Sequence, residues 1–171
     1  MNDAAARGRL NGFGPVADRR ARALILGSFP GKASLSAGHY YAHPRNQFWA
    51  ILGKLLGEPL PSLPFEQRYA SLLARRIALW DVIGACERRG SLDADIREAI
   101  DNDLDELSRL APDLDCVMFN GRTAGRHQRR LAARGLRAVV LPSTSPAYAG
   151  MRFDDKLAAW RAAFDELGVM R

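Results

Sequence analysis

The stretch YYAHPRNQFW, residues 40–49, sets His43, Arg45 and Asn46 between the aromatic pairs Tyr40–Tyr41 and Phe48–Trp49, with Pro44 restraining the backbone among them. Rings beside an amide, a guanidinium and an imidazole suit a flat polar ligand, stacked on its face and hydrogen-bonded at its edge. Three other stretches share this character. LGSFPG, residues 26–31, ends an apolar run in a Pro-Gly turn, where a ligand can approach the backbone closely. FNG, residues 119–121, carries Asn120 where an apolar run meets a helical segment. That asparagine is either an N-cap, with Gly121 easing the turn, or an amide offering a donor and an acceptor to a planar heterocycle. LPSTSPAYAG, residues 141–150, gathers Ser143, Thr144 and Ser145 around two prolines. Their hydroxyls and backbone N–H groups suit a phosphate; the alternative is a hydroxyl-rich loop stiffened by proline.

Other chemistries lack their residues. His39 and His43 flank the tyrosines, but no third ligand stands at a recognisable spacing, so no metal site is expected. Two distant cysteines, Cys86 and Cys116, make neither a zinc pattern nor a disulfide framework, and Cys116 in the run CVMF reads as core. The chain has no dinucleotide glycine fingerprint, no Gly-Lys-Thr phosphate loop and no nucleophile elbow.

The 171 residues carry a net charge of +6, and arginine far outnumbers lysine. The guanidinium fork suits a phosphate backbone, although a GC-rich coding sequence gives the same bias. Arg122, Arg126, Arg129, Arg130 and Arg134 recur at helical spacing, while acidic residues cluster from Asp93 to Glu106. Such a stripe is either a solvated face or a basic side turned towards DNA. No run is long and apolar enough to span a membrane, and the N-terminus lacks the apolar core of a signal peptide, so a cytoplasmic place is expected.

A scaffold must hold these groups. RALILGS (22–28), IALWDVI (77–83), DCVMFN (115–120) and RAVVLPS (137–143) read as strands. NQFWAILGKLLG, PFEQRYASLLARR, the arginine segment and DDKLAAWRAAFDEL read as helices, and the acidic DADIREAIDNDLDELSRL as one or two more. Alternating strands and helices imply a mostly parallel sheet covered on both faces, in one domain over residues 22–171 with 1–21 as an extension of the same unit. In such sheets ligands sit beyond the carboxyl ends of the strands. GSFPG, FNGRTA and LPSTSPAYAG all fall at such ends.

Taken in order, LILGSFPG, YYAHPRNQFW, FNGRTA and LPSTSPAYAG resemble the uracil-DNA glycosylase superfamily, and most of all its hypoxanthine-DNA glycosylase branch, often called family six. The resemblance implies a three-layer α/β/α fold with a short, mostly parallel four-stranded sheet. It implies no cofactor, and DNA containing deaminated bases as the partner of a monomer working at the nucleoid. Hypoxanthine would be excised first and uracil second. Such an enzyme flips its nucleotide out of the duplex and holds the base in a pocket. Phe48 is the expected stacking ring, with Tyr40 and Tyr41 as alternatives, beside Phe29 and Ser28; Trp49 reads as core. Ser143, Thr144, Ser145, Tyr148, Arg45, Arg126 and Arg130 are expected to hold the DNA.

The chain also departs from the superfamily pattern. Relatives carry Asp or Asn in the first motif to direct water, whereas Gly27-Ser28-Phe29-Pro30-Gly31 has neither. Ser143 stands where some have a histidine, and Ala147–Tyr148 where a leucine often wedges the vacated stack. The hypoxanthine branch implies that Asn46 takes the catalytic role with Asn120 assisting. No lysine among Lys32, Lys54 and Lys156 is obviously placed for a Schiff base, so a monofunctional enzyme is expected. Two rival readings remain: a mismatch-specific uracil or thymine glycosylase, which the missing Asn after Gly27 argues against, and a non-catalytic module that senses damaged DNA.

Overall fold

The computed structural model describes residues 8–171. A short strand β1 (Leu10–Asn11) leads to β2 (Ala23–Gly27), and helices α1 (Lys32–Ala37), α2 (Phe48–Leu56) and α3 (Phe65–Ala74) come after it. Strands β3 (Ile77–Asp81), β4 (Ile83–Glu87) and β5 (Arg97–Asp101) are next, then the short helix α4 (Leu107–Leu110) and β6 (Cys116–Asn120). Two short helices, α5 (Arg122–Gly125) and α6 (Gln128–Ala132), precede β7 (Arg137–Leu141), and α7 (Phe153–Leu167) closes the chain.

The main sheet is parallel throughout, in the order β3-β2-β6-β7. Every residue of β2, β3 and β6 is buried. Helices cover both faces, so these strands are unbroken apolar runs without alternation, in a three-layer α/β/α fold. Register brings the polar strand ends together. Gly27 pairs with Asp81 and Asn120 with Leu141, so the four strands finish level on one side.

The acidic segment is not helical in the way its composition suggests. Ile96 and Ile100 stand at helical spacing, yet residues 97–101 form β5, paired antiparallel with β4 in a second sheet of order β1-β4-β5. Backbone pairing with β4 overrides local propensity there, with register shifts and a left-handed Glu98 (φ 49°) marking the distortion. Only its end, Leu107–Leu110, is α-helical. IALWDVI also divides, with Val82 as the corner between β3 and β4. The arginine segment breaks into α5 and α6. There Gly125 lies so near β7 that a Cβ would come 2.7 Å from Val140.

Residues before β2 are built into the domain: Val16 bridges to Leu79, and the Trp80 indole Nε1 donates to the Phe13 carbonyl at 3.1 Å. Residues 1–7 of the expected extension lie outside the described residues. Among the described residues no helix is long and apolar enough to cross a membrane.

Candidate active site

The level carboxyl ends of the four parallel strands floor a cavity of about 910 Å³, and Gly27, Asp81, Asn120 and Leu141 all line it. Its walls come from the loops beyond: Ser28–Ser34, then Tyr40, Tyr41, His43 and Asn46, then Ser91–Ala94 and Pro142–Tyr148. The polar stretches at three strand ends thus meet Asn46 and Tyr41 in one place.

Thr144 joins three of these segments. It is fully buried, its N–H donates to Asn120 Oδ1 at 3.0 Å, and its hydroxyl accepts from Asn120 Nδ2 at 2.9 Å. Its carbonyl accepts from the Gln47 N–H at 3.0 Å, which ties the Pro-Arg-Asn segment to the same loop. Helix α7 holds the loop from behind: the Trp160 indole donates to the Pro142 carbonyl at 3.0 Å and the buried Lys156 ammonium to the Tyr148 carbonyl at 2.7 Å. Burial lowers the Lys156 pKa.

This geometry corrects several expectations. Asn120 is not an N-cap: Gly121, with φ 99°, holds that position, and both ends of the Asn120 amide are engaged by Thr144. Thr144 has no surface for DNA. Phe48 has none for a base either; it is fully buried beneath Tyr41, their rings stacked at 3.9 Å and 19°. The helical phase that starts α2 turns Phe48 and Trp49 into the core, where Trp49 Nε1 donates to the Tyr40 carbonyl at 3.0 Å. The aromatic rings left on the cavity are Tyr41, Phe29 and part of Tyr40, with Tyr148 at its edge.

Asn46 lines the cavity half-buried, and its Oδ1 accepts from the Phe48 N–H at 3.0 Å, closing the start of α2. Among the described residues its amide nitrogen meets no acceptor. Ser28 donates its hydroxyl to Asp93 at 2.8 Å. Ser143 Oγ accepts from the Ser145 N–H and Ser145 Oγ from the Ala147 N–H, so these hydroxyls first shape their own turn. Tyr148 is 40% exposed at the cavity, and Arg45 is exposed outside it. Arg126 and Arg130 are exposed. Basic and acidic segments, distant in sequence, touch in space where Arg134 pairs with Asp105 and His127 stands 3.9 Å from Asp101.

One site residue lies outside the motifs singled out in the sequence. Asp81, at the carboxyl end of β3, lines the cavity with 3% of its surface exposed, and its Oδ2 has no hydrogen-bond partner. Burial, and then the charge of Asp93, push its pKa up to about 7 against a smaller opposing effect of Arg88. Its signal is the one that marks Asn120: a polar residue ending an apolar strand. Gly27 makes room for it, since a Cβ there would lie 2.5 Å from Asp81 Oδ1 and 2.6 Å from the Tyr41 hydroxyl. The Tyr41 hydroxyl is also buried without a partner.

With this arrangement in place, the profile of the uracil DNA glycosylase superfamily matches residues 13–168. The chain belongs to that superfamily. Two curated relatives, both named hypoxanthine DNA glycosylase, come from Methanosarcina barkeri and Methanosarcina acetivorans. Each is 38% identical to this chain over 90% of it and 96% of the relative. A solution NMR structure of a Methanosarcina acetivorans protein, proposed to be a uracil DNA glycosylase, superposes with a TM-score of 0.84 at 36% identity. The match covers 94% of this chain and 99% of that one. Membership makes the chain a DNA glycosylase, an enzyme that cuts the bond between a base and its deoxyribose.

Proposed function

We propose that this glycosylase flips deaminated nucleotides into the cavity and excises the base by hydrolysis in base excision repair, hypoxanthine first and uracil second. The observation that carries the reading is the convergence of all four strand ends, Asn46 and Tyr41 on one cavity of about 910 Å³, ample for a purine. The names of the two Methanosarcina relatives support hypoxanthine as the leading base.

Breaking the glycosidic bond leaves positive charge on the sugar and negative charge on the base, so positioned dipoles can lower the barrier without a nucleophile. The Asn46 carbonyl oxygen is fixed by the Phe48 N–H, which aims its amide hydrogens. Those hydrogens are donors for the water or for an acceptor atom of the departing base. Asn120 assists by position: it holds the loop that carries Ser143 and Ser145, while Tyr41, backed by Phe48, offers the ring for the base. Leu92 (51% exposed) and Tyr148 line the cavity and can fill the gap left in the duplex. Lys156 is bound to a carbonyl, and no lysine takes part in the chemistry.

The test is strand cleavage of duplex oligonucleotides carrying inosine, uracil, xanthine or thymine opposite each normal base. Inosine strands should break first, and only after alkali. Breakage without alkali, or borohydride trapping through the cavity-lining Lys32, overturns the monofunctional reading. Binding without release of any base makes the protein a damage-sensing module.

A further inference from the structure

Asp81 is a carboxyl group in the floor of the cavity, buried, with one oxygen unpartnered. Native structures rarely leave such a group unmet, because burying it without a hydrogen bond is costly. Among the described residues no cation pairs with it. Arg88, the positive charge that acts on it, directs Nε to the Gly90 carbonyl and Nη2 to the Pro30 carbonyl, while among the described residues its buried Nη1 meets no partner and forms no ion pair with Asp81. The other titratable groups around it are Asp93 on the loop before β5 and Tyr40 and Tyr41 from the wall, with Lys32, His43, Arg122 and Tyr148 on the same cavity. Burial raises both tyrosine pKa values, so the phenols stay neutral.

We propose that Asp81 is a base-binding group that works as the neutral carboxylic acid, donating its O–H to the carbonyl oxygen that deamination creates on the base. This rests on the proposed function and names how that site recognises its substrate class. Deamination replaces an exocyclic amine, a donor, by a carbonyl, an acceptor. An ionised Asp81 offers acceptors alone and therefore suits the undamaged base. The neutral acid, beside the Tyr41 hydroxyl, presents donors to the damaged one. Charge points the same way. When the C1′–N bond breaks, its electron pair leaves with the base and spreads onto the carbonyl oxygen. A carboxylate there would oppose that charge, whereas an O–H stabilises it. Water supplies the oxygen that bonds C1′, its proton goes to the base or to solvent, and Asp81 keeps its own proton throughout. With its pKa pushed up to about 7 by burial, Asp81 carries the donor below neutrality, shares it about equally with the ionised form at neutrality and loses it in alkali.

The test is single-turnover release of hypoxanthine from inosine duplex by the full chain, its Asp81→Asn variant and its Asp81→Ala variant, from roughly pH 5.5 to 9. The wild-type rate should fall above about pH 7, by roughly tenfold per pH unit. Asp81→Asn, whose amide keeps a donor at every pH, should retain activity within about tenfold and lose the falling limb. Asp81→Ala should be slow throughout, its thermal melt showing that it folds. A wild-type rate that rises through the same range, with Asp81→Asn inactive, overturns the proposal in favour of a base acting on water. The same falling limb persisting in Asp81→Asn overturns it in favour of another group such as His43. Wild type that releases no deaminated base at any pH sinks the glycosylase reading itself, and this proposal with it.

Discussion

The two sides of the cavity floor differ in how their polar groups are met. On the side of β6 and β7, Asn120 and Thr144 are joined by two hydrogen bonds, and the backbone of Gln47 closes the set. On the side of β2 and β3, Asp81 and the Tyr41 hydroxyl meet at Gly27 without partners. A satisfied network fixes shape, and an unsatisfied one stores a cost that a ligand can relieve. Removing a polar group should therefore have opposite effects on the two sides.

The largest expected effect is on the unmet side. The folded-state pKa of Asp81 is raised from 3.8 to about 7, so the neutral form is favoured by folding. Its contribution is intact below about pH 4 and is lost as pH rises through about 7, because the native state then holds a buried charge. Asp81→Asn removes that penalty. Its gain in stability over wild type should be small at pH 4 and grow to a plateau above pH 7, on the order of 4 kcal/mol at most. Thermal melts at both pH values check this. An equal difference at both would mean that Asp81 is charged or neutral alike in both states.

Asn46 should show the next largest effect, and in rate more than in stability. Asn46→Ala removes the closure at Phe48 N–H, costing about 1 kcal/mol, and should slow single-turnover cleavage by about two orders of magnitude. Asn46→Asp keeps the oxygen that closes the helix and loses the amide hydrogens, so it should fold normally and still be slow. Full activity in folded Asn46→Ala sinks the role proposed for it.

On the satisfied side, Asn120→Ala leaves the buried N–H and hydroxyl of Thr144 unpaired and should cost about 1–3 kcal/mol. A lower urea midpoint with an unchanged slope is the expected reading. The variant should slow excision of every base alike, since the loop as a whole loses its anchor. A loss confined to one base would mean that the Asn120 amide leaves Thr144 to read the substrate.

The parallel sheet is legible in the sequence because strands covered on both faces are written as unbroken apolar runs, as in LILG and CVMF. The same continuity hides Asp81. IALWDVI looks like one strand through residue 83, whereas the chain turns at Val82, whose N–H bonds the Gly27 carbonyl, and so makes Asp81 a strand end. Phe48 departs from its expected place for a different reason: an aromatic cluster shows that rings gather, but the phase of α2 decides which face the core. The acidic segment carries helical spacing in Ile96 and Ile100, and only a long-range partner, β4, makes it a strand. Pairings between distant residues, such as Asn120 with Thr144, leave no local trace at all.

The smallest effect concerns the arginines, where a paired and an unpaired set can again be compared. Arg134 is tied to Asp105, while among the described residues Arg126 and Arg130 are exposed and take part in no ion pair. The break between α5 and α6 means that the arginines do not form one straight stripe. Each free guanidinium that neutralises a phosphate releases counterions and adds about 0.9 to the slope of log affinity against log salt. Arg126→Gln with Arg130→Gln should therefore lower that slope for undamaged duplex by about 2, with the single-turnover rate at saturating protein little changed. Arg134→Gln should leave the slope nearly as it was and weaken the contact with Asp105, an exposed pair worth about 0–1 kcal/mol. If the double variant keeps the wild-type slope, Arg126 and Arg130 face solvent away from the DNA, and the next cations to test are Arg122 and Lys32, which line the cavity itself, and the exposed Arg45 beside it.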